Sequence, residues 1–204
     1  MVIQHNIAAN NAYRNLSSNS SNGQKNLEKL SSGYRINRSA DDAAGLAISE
    51  QMRSKINGLD QATSNANDAI GLIQTAEGAL TETHSMLQRM VTLATQSANG
   101  TYNSTARAAI GEEVTALQAE LNRIASTTDY NGVKPLASTS KVTVQIGPTA
   151  TEVLKIDSAK MGASALGVDA ISVSTVSKAN SAITTINKAI NTVSTHRAKL
   201  GASQ

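Results

Sequence analysis

With 204 residues, a formal charge of +3 and no cysteine, the chain is long enough to bury a core, while a disulfide framework and thiolate metal sites are excluded. It contains no Phe, no Trp and four Tyr, so its interior must be built from Leu, Ile, Val, Met and Ala. Side chains of that size favour thin layers of closely spaced helices over a thick globule, and an elongated body is expected.

The first 38 residues carry Arg14, Lys25, Lys29, Arg35 and Arg38 against a single acid, Glu28. Such a bias can serve nucleic acid, but no aromatic stacking platform accompanies it. Met1 to Leu16 lacks the apolar run of a signal peptide, and no stretch of 18 apolar residues follows, so neither a cleaved leader nor a membrane span is expected. Residues 1–30 are crowded with Asn and Ser; Ile3, Ile7, Leu16, Leu27 and Leu30 could line one helix face but bury too little to order the segment alone. A helical or disordered arm that orders against partners is the expectation.

From about Ala43 the pattern changes. Met52, Ile56, Leu59, Thr63, Ala66, Ile70, Ile73, Glu77, Leu80, His84, Leu87, Val91, Ala94 and Ala98 follow steps of four and three, the seam of one helix of coiled-coil type. Such a helix would run roughly 80 Å. Asn99-Gly100 stops it, and Asn103 or Ser104 can cap a second helix whose stripe is Ile110, Val114, Leu117, Leu121 and Ile124, folding back antiparallel. Asn131-Gly132 makes a turn; "KVTVQIG" and "TEVLKID" then alternate as two short strands, a β-hairpin. From Thr175, Val176, Ala179, Ile183, Ile186, Ile190, Val193, Arg197 and Leu200 give a last helix whose stripe is still running at Gln204, as in a longer helix that has been cut. The fold class is therefore mainly α: an elongated antiparallel helical bundle, coiled-coil-like, with a small β-hairpin and an N-terminal arm. Its parts are an arm and joint (1–42), a rod domain (43–174) and a C-terminal rod helix (175–204).

Few residues suggest chemistry. Asp41 and Asp42 are adjacent, about 100° apart on a helix, a poor geometry for acid/base work; Ser39-Ala40-Asp41-Asp42 instead fits a capping box at a helix start. His5, His84 and His196 are isolated from second ligands, and "GASALG" lacks the Lys and Ser/Thr of a phosphate loop. Gly58, Gly71 and Gly78 lie inside the long helix, each costing about 1 kcal/mol relative to Ala; either they sit at indifferent exposed sites or a neighbour approaches there. No enzyme and no cofactor are expected.

Several long ungapped stretches carry a specific likeness: "MVIQHNIAANNAYRNL", "LSSGYRINRSADDAAGLAISEQMRSKINGLDQA", "LQRMVTLATQSANGTY", "DYNGVKPLA" and "RAKLGASQ" closely resemble bacterial flagellins. The resemblance implies a self-assembling structural subunit of the flagellar filament, extracellular, exported by a type III route, in a minimal form without outer variable domains and ending before the C-terminal arm. The absence of that arm counts against binding of the export chaperone, which in this family grips it. Other subunits and the flagellar cap and hook-junction proteins are the implied partners, with no nucleic acid or membrane among them. Arg35, Arg38, Asp41 and Asp42 map to the joint between arm and rod, where the two arginines would face neighbouring subunits or the paired arm. Toll-like receptor 5 of vertebrate hosts recognises members of this family through positions matching Arg89, Leu93, Gln96 and Glu113. Arg89, Gln96 and Glu113 lie off their seams and Leu93 flanks its own; Val91, Thr92 and Thr95 stand where receptor-binding relatives commonly hold Arg, Glu and Val. Two rival readings are a hook-filament junction protein, which has a similar N-terminal segment, and a helical nucleic-acid-binding adaptor.

Overall fold

The computed structural model describes residues 6–204; Ile3 and His5 lie outside them. In chain order the elements are α1 (Ile7–Ser32), α2 (Ala43–Ala98), α3 (Ser104–Thr127), β1 (Val142–Gln145), β2 (Val153–Ile156) and α4 (Val176–Ser203). The chain divides into two compact units, one ending at Asn57 and the other comprising Gly58–Gln204, with α2 passing from the first into the second.

In the first unit the N-terminal segment is a helix rather than a disordered strand of chain, although none of its residues is buried. Asn6 caps it by accepting from the Ala9 amide at 3.1 Å, and Gly33, left-handed at φ 73°, ends it with its N–H on the Lys29 carbonyl.

In the second unit α2, α3 and α4 share one apolar core with the hairpin. Arg89 of α2 meets Glu113 of α3 while Arg107 reaches the carbonyls of Ser97 and Asn99, so α3 returns antiparallel to α2. Arg197 of α4 meets Glu77, and Ser97 meets the chain just before α4, so α4 also runs against α2. Asn103 supplies the cap of α3, accepting from the Ala106 amide at 2.8 Å, and Thr175 caps α4. The hairpin pairs Val142 with Ile156 and Val144 with Leu154 in antiparallel register.

The rotation of the helices differs from the expected seam. Ile73, Leu80, Leu87 and Ala94 are buried as expected, but the alternate places belong to Ala76, Thr83, Met90 and Ser97 rather than Glu77, His84, Val91 and Ala98. On α4 the buried alternates are Ala182, Ala189 and His196 rather than Ile183, Ile190 and Arg197; on α3, Gln118 and Ala125 replace Leu117 and Ile124. Adjacent residues point about 100° apart, and in α2 and α4 the turn goes mostly toward small side chains. The expected seam also began too early. Met52, Ile56 and Leu59 are exposed, and the first buried residue of α2 is Ala62.

Candidate functional site

At the joint, Arg38 to Asp41 form a turn and α2 starts at Ala43. Asp42 caps it, not Ser39: its Oδ1 accepts from the Gly45 amide at 2.8 Å and its carbonyl from Leu46. Gly45 leaves the room this needs, since a β-carbon there would come within 2.9 Å of Ile36 Cδ1. Asp41 does different work. One carboxylate oxygen accepts from the amides of Asn37 and Arg38 at 3.4 and 3.3 Å, and the other pairs with Lys29 at 3.6 Å. The Asn37 amide, followed by that of Arg38 and the Lys29 ammonium, holds the Asp41 carboxyl below the usual carboxylate range. Arg38 forks onto Glu28 of α1, Nε to Oε1 and Nη2 to Oε2, each at 2.9 Å, which raises its already high pKa. Asn37 completes the link by donating to the Glu28 carbonyl and to Ser32 Oγ. Although paired with Glu28, Arg38 keeps 70% of its side chain exposed. Arg35 is exposed and makes no side-chain hydrogen bond or ion pair among the described residues.

The first unit also presents apolar side chains to solvent. On α1, Tyr13, Leu16, Leu27 and Leu30 fall on one side of the helix and are two-thirds or more exposed. On α2, Ile48, Met52 and Ile56 recur every four residues at 54%, 60% and 58% exposure. A contiguous apolar row of this kind is the ordinary mark of a protein contact surface.

In the second unit Arg89 and Glu113 meet across α2 and α3 at 2.7–2.8 Å, both about half exposed. Gln96 donates to the Tyr102 hydroxyl at 3.0 Å. Leu93 does not join that surface; it is 2% exposed and belongs to the core.

Sequence reasoning missed three side chains that fasten the long connection before α4. Gln118 donates to the Val168 carbonyl at 2.6 Å, Asn122 accepts from the Ala163 amide at 2.9 Å, and Ser97 donates to the Val173 carbonyl at 2.5 Å. A polar residue on a helix stripe was their only local signal. Sequence reasoning named His196 without its burial: the residue is 6% exposed, and its Nε2 has no hydrogen-bond partner among the described residues. Burial first, then the Lys199 ammonium, push its pKa down, and Asp157 partly opposes them. No group of three or more His, Asp or Glu able to hold a metal occurs among the described residues, and none of their helices is long and apolar enough to cross a membrane.

Comparison with known proteins completes the description. Residues 3–141 match the family model of the bacterial flagellin N-terminal helical region. The chain is 48% identical to a flagellin of Halalkalibacterium halodurans, over all of this chain and 76% of that protein. It is 45% identical to a flagellin of Bacillus subtilis, over all of this chain and 79% of that one. A flagellin of Clostridium tyrobutyricum is 64% identical over 67% of this chain, a match that spans 36% of that longer protein. Among solved structures, the crystal structure of Bacillus cereus flagellin superposes with a TM-score of 0.60 at 27% identity, covering 67% of this chain and 80% of that one.

Proposed function

The chain belongs to the bacterial flagellin family, whose members are structural proteins of the extracellular flagellar filament and not enzymes, and from that premise we propose that it polymerises by burying the exposed rows of α1 and early α2 against other copies. The row Ile48, Met52, Ile56 carries the reading: each side chain is more than half exposed, and burying each is worth about 1.5–3 kcal/mol. The joint would hold the chain's direction at that contact. Asp41 and Asp42 hold the turn through backbone amides, and Arg35 and the exposed flank of Arg38 are the arginines it would present to a neighbour. Cap and hook-junction proteins would meet the same assembly surfaces, and export would follow the family's type III route. The test is seeded filament growth with an Ile48→Glu, Ile56→Glu variant. Loss of incorporation at unchanged helicity is expected; incorporation equal to the parent's refutes the surface.

A second role rests on a different place. The cross-helix pair Arg89–Glu113, with Gln96 nearby on α2, supports recognition by Toll-like receptor 5 through an exposed polar face. Leu93 would support that face from below rather than touch the receptor. An Arg89→Ala, Glu113→Ala variant should lose roughly tenfold or more in affinity for the receptor ectodomain, about 1.4 kcal/mol; an affinity equal to the parent's would count against this face.

A further inference from the structure

Four Asn-Gly pairs occur in the sequence: Asn22-Gly23, Asn57-Gly58, Asn99-Gly100 and Asn131-Gly132. The pair has a chemistry of its own. The glycine amide nitrogen can attack the asparagine side-chain carbonyl carbon, and glycine offers no side chain to block the approach. The first two pairs lie within α1 and α2, where the glycine N–H is committed to the helical ladder. The two loop pairs differ in a way their sequences do not reveal.

At Asn131-Gly132 the would-be nucleophile is occupied: the Gly132 N–H donates to Asp129 Oδ1 at 2.9 Å. The turn is closed on both sides by the reciprocal Tyr130 and Val133 backbone bonds at 2.9 and 3.0 Å. At Asn99-Gly100, just past the end of α2, the Gly100 N–H makes no hydrogen bond among the described residues. The Asn99 side chain already curls over the peptide bond that follows it, because its Oδ1 accepts from the Thr101 amide at 3.2 Å. That bond also draws electron density from the carbonyl carbon under attack.

We propose that Asn99 is a self-modification site of the folded chain. Gly100 N bonds to Asn99 Cγ, the Cγ–Nδ2 bond breaks, and ammonia leaves with the proton given up by the Gly100 amide. Water then opens the resulting succinimide at either carbonyl, giving aspartate or isoaspartate and no change of oxidation state. The new carboxylate arises beside Arg107, which donates to the Asn99 carbonyl at 3.0 Å, so the charge is received in the turn between α2 and α3.

Peptide mass mapping during incubation of the folded chain in mildly alkaline buffer tests this. The amide-to-acid mass shift should build up several-fold faster at Asn99 than at Asn131, and the two rates should converge in denaturant. Gly100→Ala, whose added methyl meets nothing within 4 Å, should suppress the Asn99 shift without unfolding the chain. Asp129→Ala, which frees the Gly132 N–H, should accelerate Asn131. Conversion at Asn131 equal to or ahead of Asn99 in the folded parent would overturn the assignment, as would an Asn99 rate unchanged in Gly100→Ala.

Discussion

Tyr130 lies against Gly71: a β-carbon on that glycine would stand 2.9 Å from the tyrosine hydroxyl and 3.2 Å from its ring. Of the helical glycines, Gly58 is likewise required, since its β-carbon would meet Pro148 Cβ at 2.9 Å, whereas Gly78 faces open space. Gly78→Ala should therefore stabilise the chain by up to about 1 kcal/mol through helix propensity. Gly71→Ala should forfeit that gain to the displacement of Tyr130. Denaturant midpoints of the two variants check the contrast, and an equal gain at both positions would contradict the close approach.

The rotation of the helices gives a second contrast. Ile186 is fully buried and Ile190 half-buried, although both fit the stripe visible in the sequence. Ile186→Ala should cost about 2–5 kcal/mol, and Ile190→Ala clearly less. Ala76, fully buried in the core, should resist enlargement: Ala76→Leu should cost about 1–3 kcal/mol by overpacking. Equilibrium unfolding decides it, and a larger loss at Ile190 than at Ile186 would restore the seam expected from the sequence.

Where each element lies was legible because the signals are local. Asn103, Thr175 and Asn99-Gly100 mark helix ends, and the alternation of Val142, Val144 and Ile146 marks a strand. Rotation was not legible, since isoleucine at 183 or 190 and alanine at 182 or 189 satisfy the same periodicity. What buries the alanine is the placement of the rest of the core around the helix, which no window of sequence contains. The bonds from Gln118, Asn122 and Ser97 span 50, 41 and 76 residues. They were hidden for the same reason. At the candidate surfaces, Arg89 and Glu113 could be placed on exposed faces from their offsets, but their pairing, and the burial of Leu93 between them in sequence, depend on how α3 lies on α2.

The start of α2 separates two neighbouring aspartates. Asp42→Ala removes the acceptor of the Gly45 amide and should cost about 0.5–2 kcal/mol of local stability, read as faster hydrogen exchange at Gly45. Ser39→Ala should leave that exchange unchanged, because Ser39 makes no side-chain hydrogen bond among the described residues. Similar acceleration in both variants would return the cap to Ser39.

His196 makes the second unit acid-sensitive. Its cavity is lined by Met161, Thr192, Thr195 and Lys199, and Asp157, paired with Lys141 at 3.0 Å, is the acid that acts on it. The folded pKa lies below the ordinary value of 6.5, so in that interval the unfolded chain binds the proton and the folded chain does not. Stability is therefore complete above 6.5 and is lost as pH falls from 6.5 toward the folded value. The Lys141 hydrogen bond depresses the Asp157 pKa below 3.8, so its contribution is lost as pH falls from 3.8 through that depressed value. The histidine window opens at 6.5, well above the 3.8 at which that of Asp157 opens. Melting temperatures followed from neutral pH to about pH 5 should fall more steeply for the parent than for His196→Leu. Parallel profiles would show that the histidine takes up its proton equally in the folded and unfolded chains, so that burial does not lower its pKa.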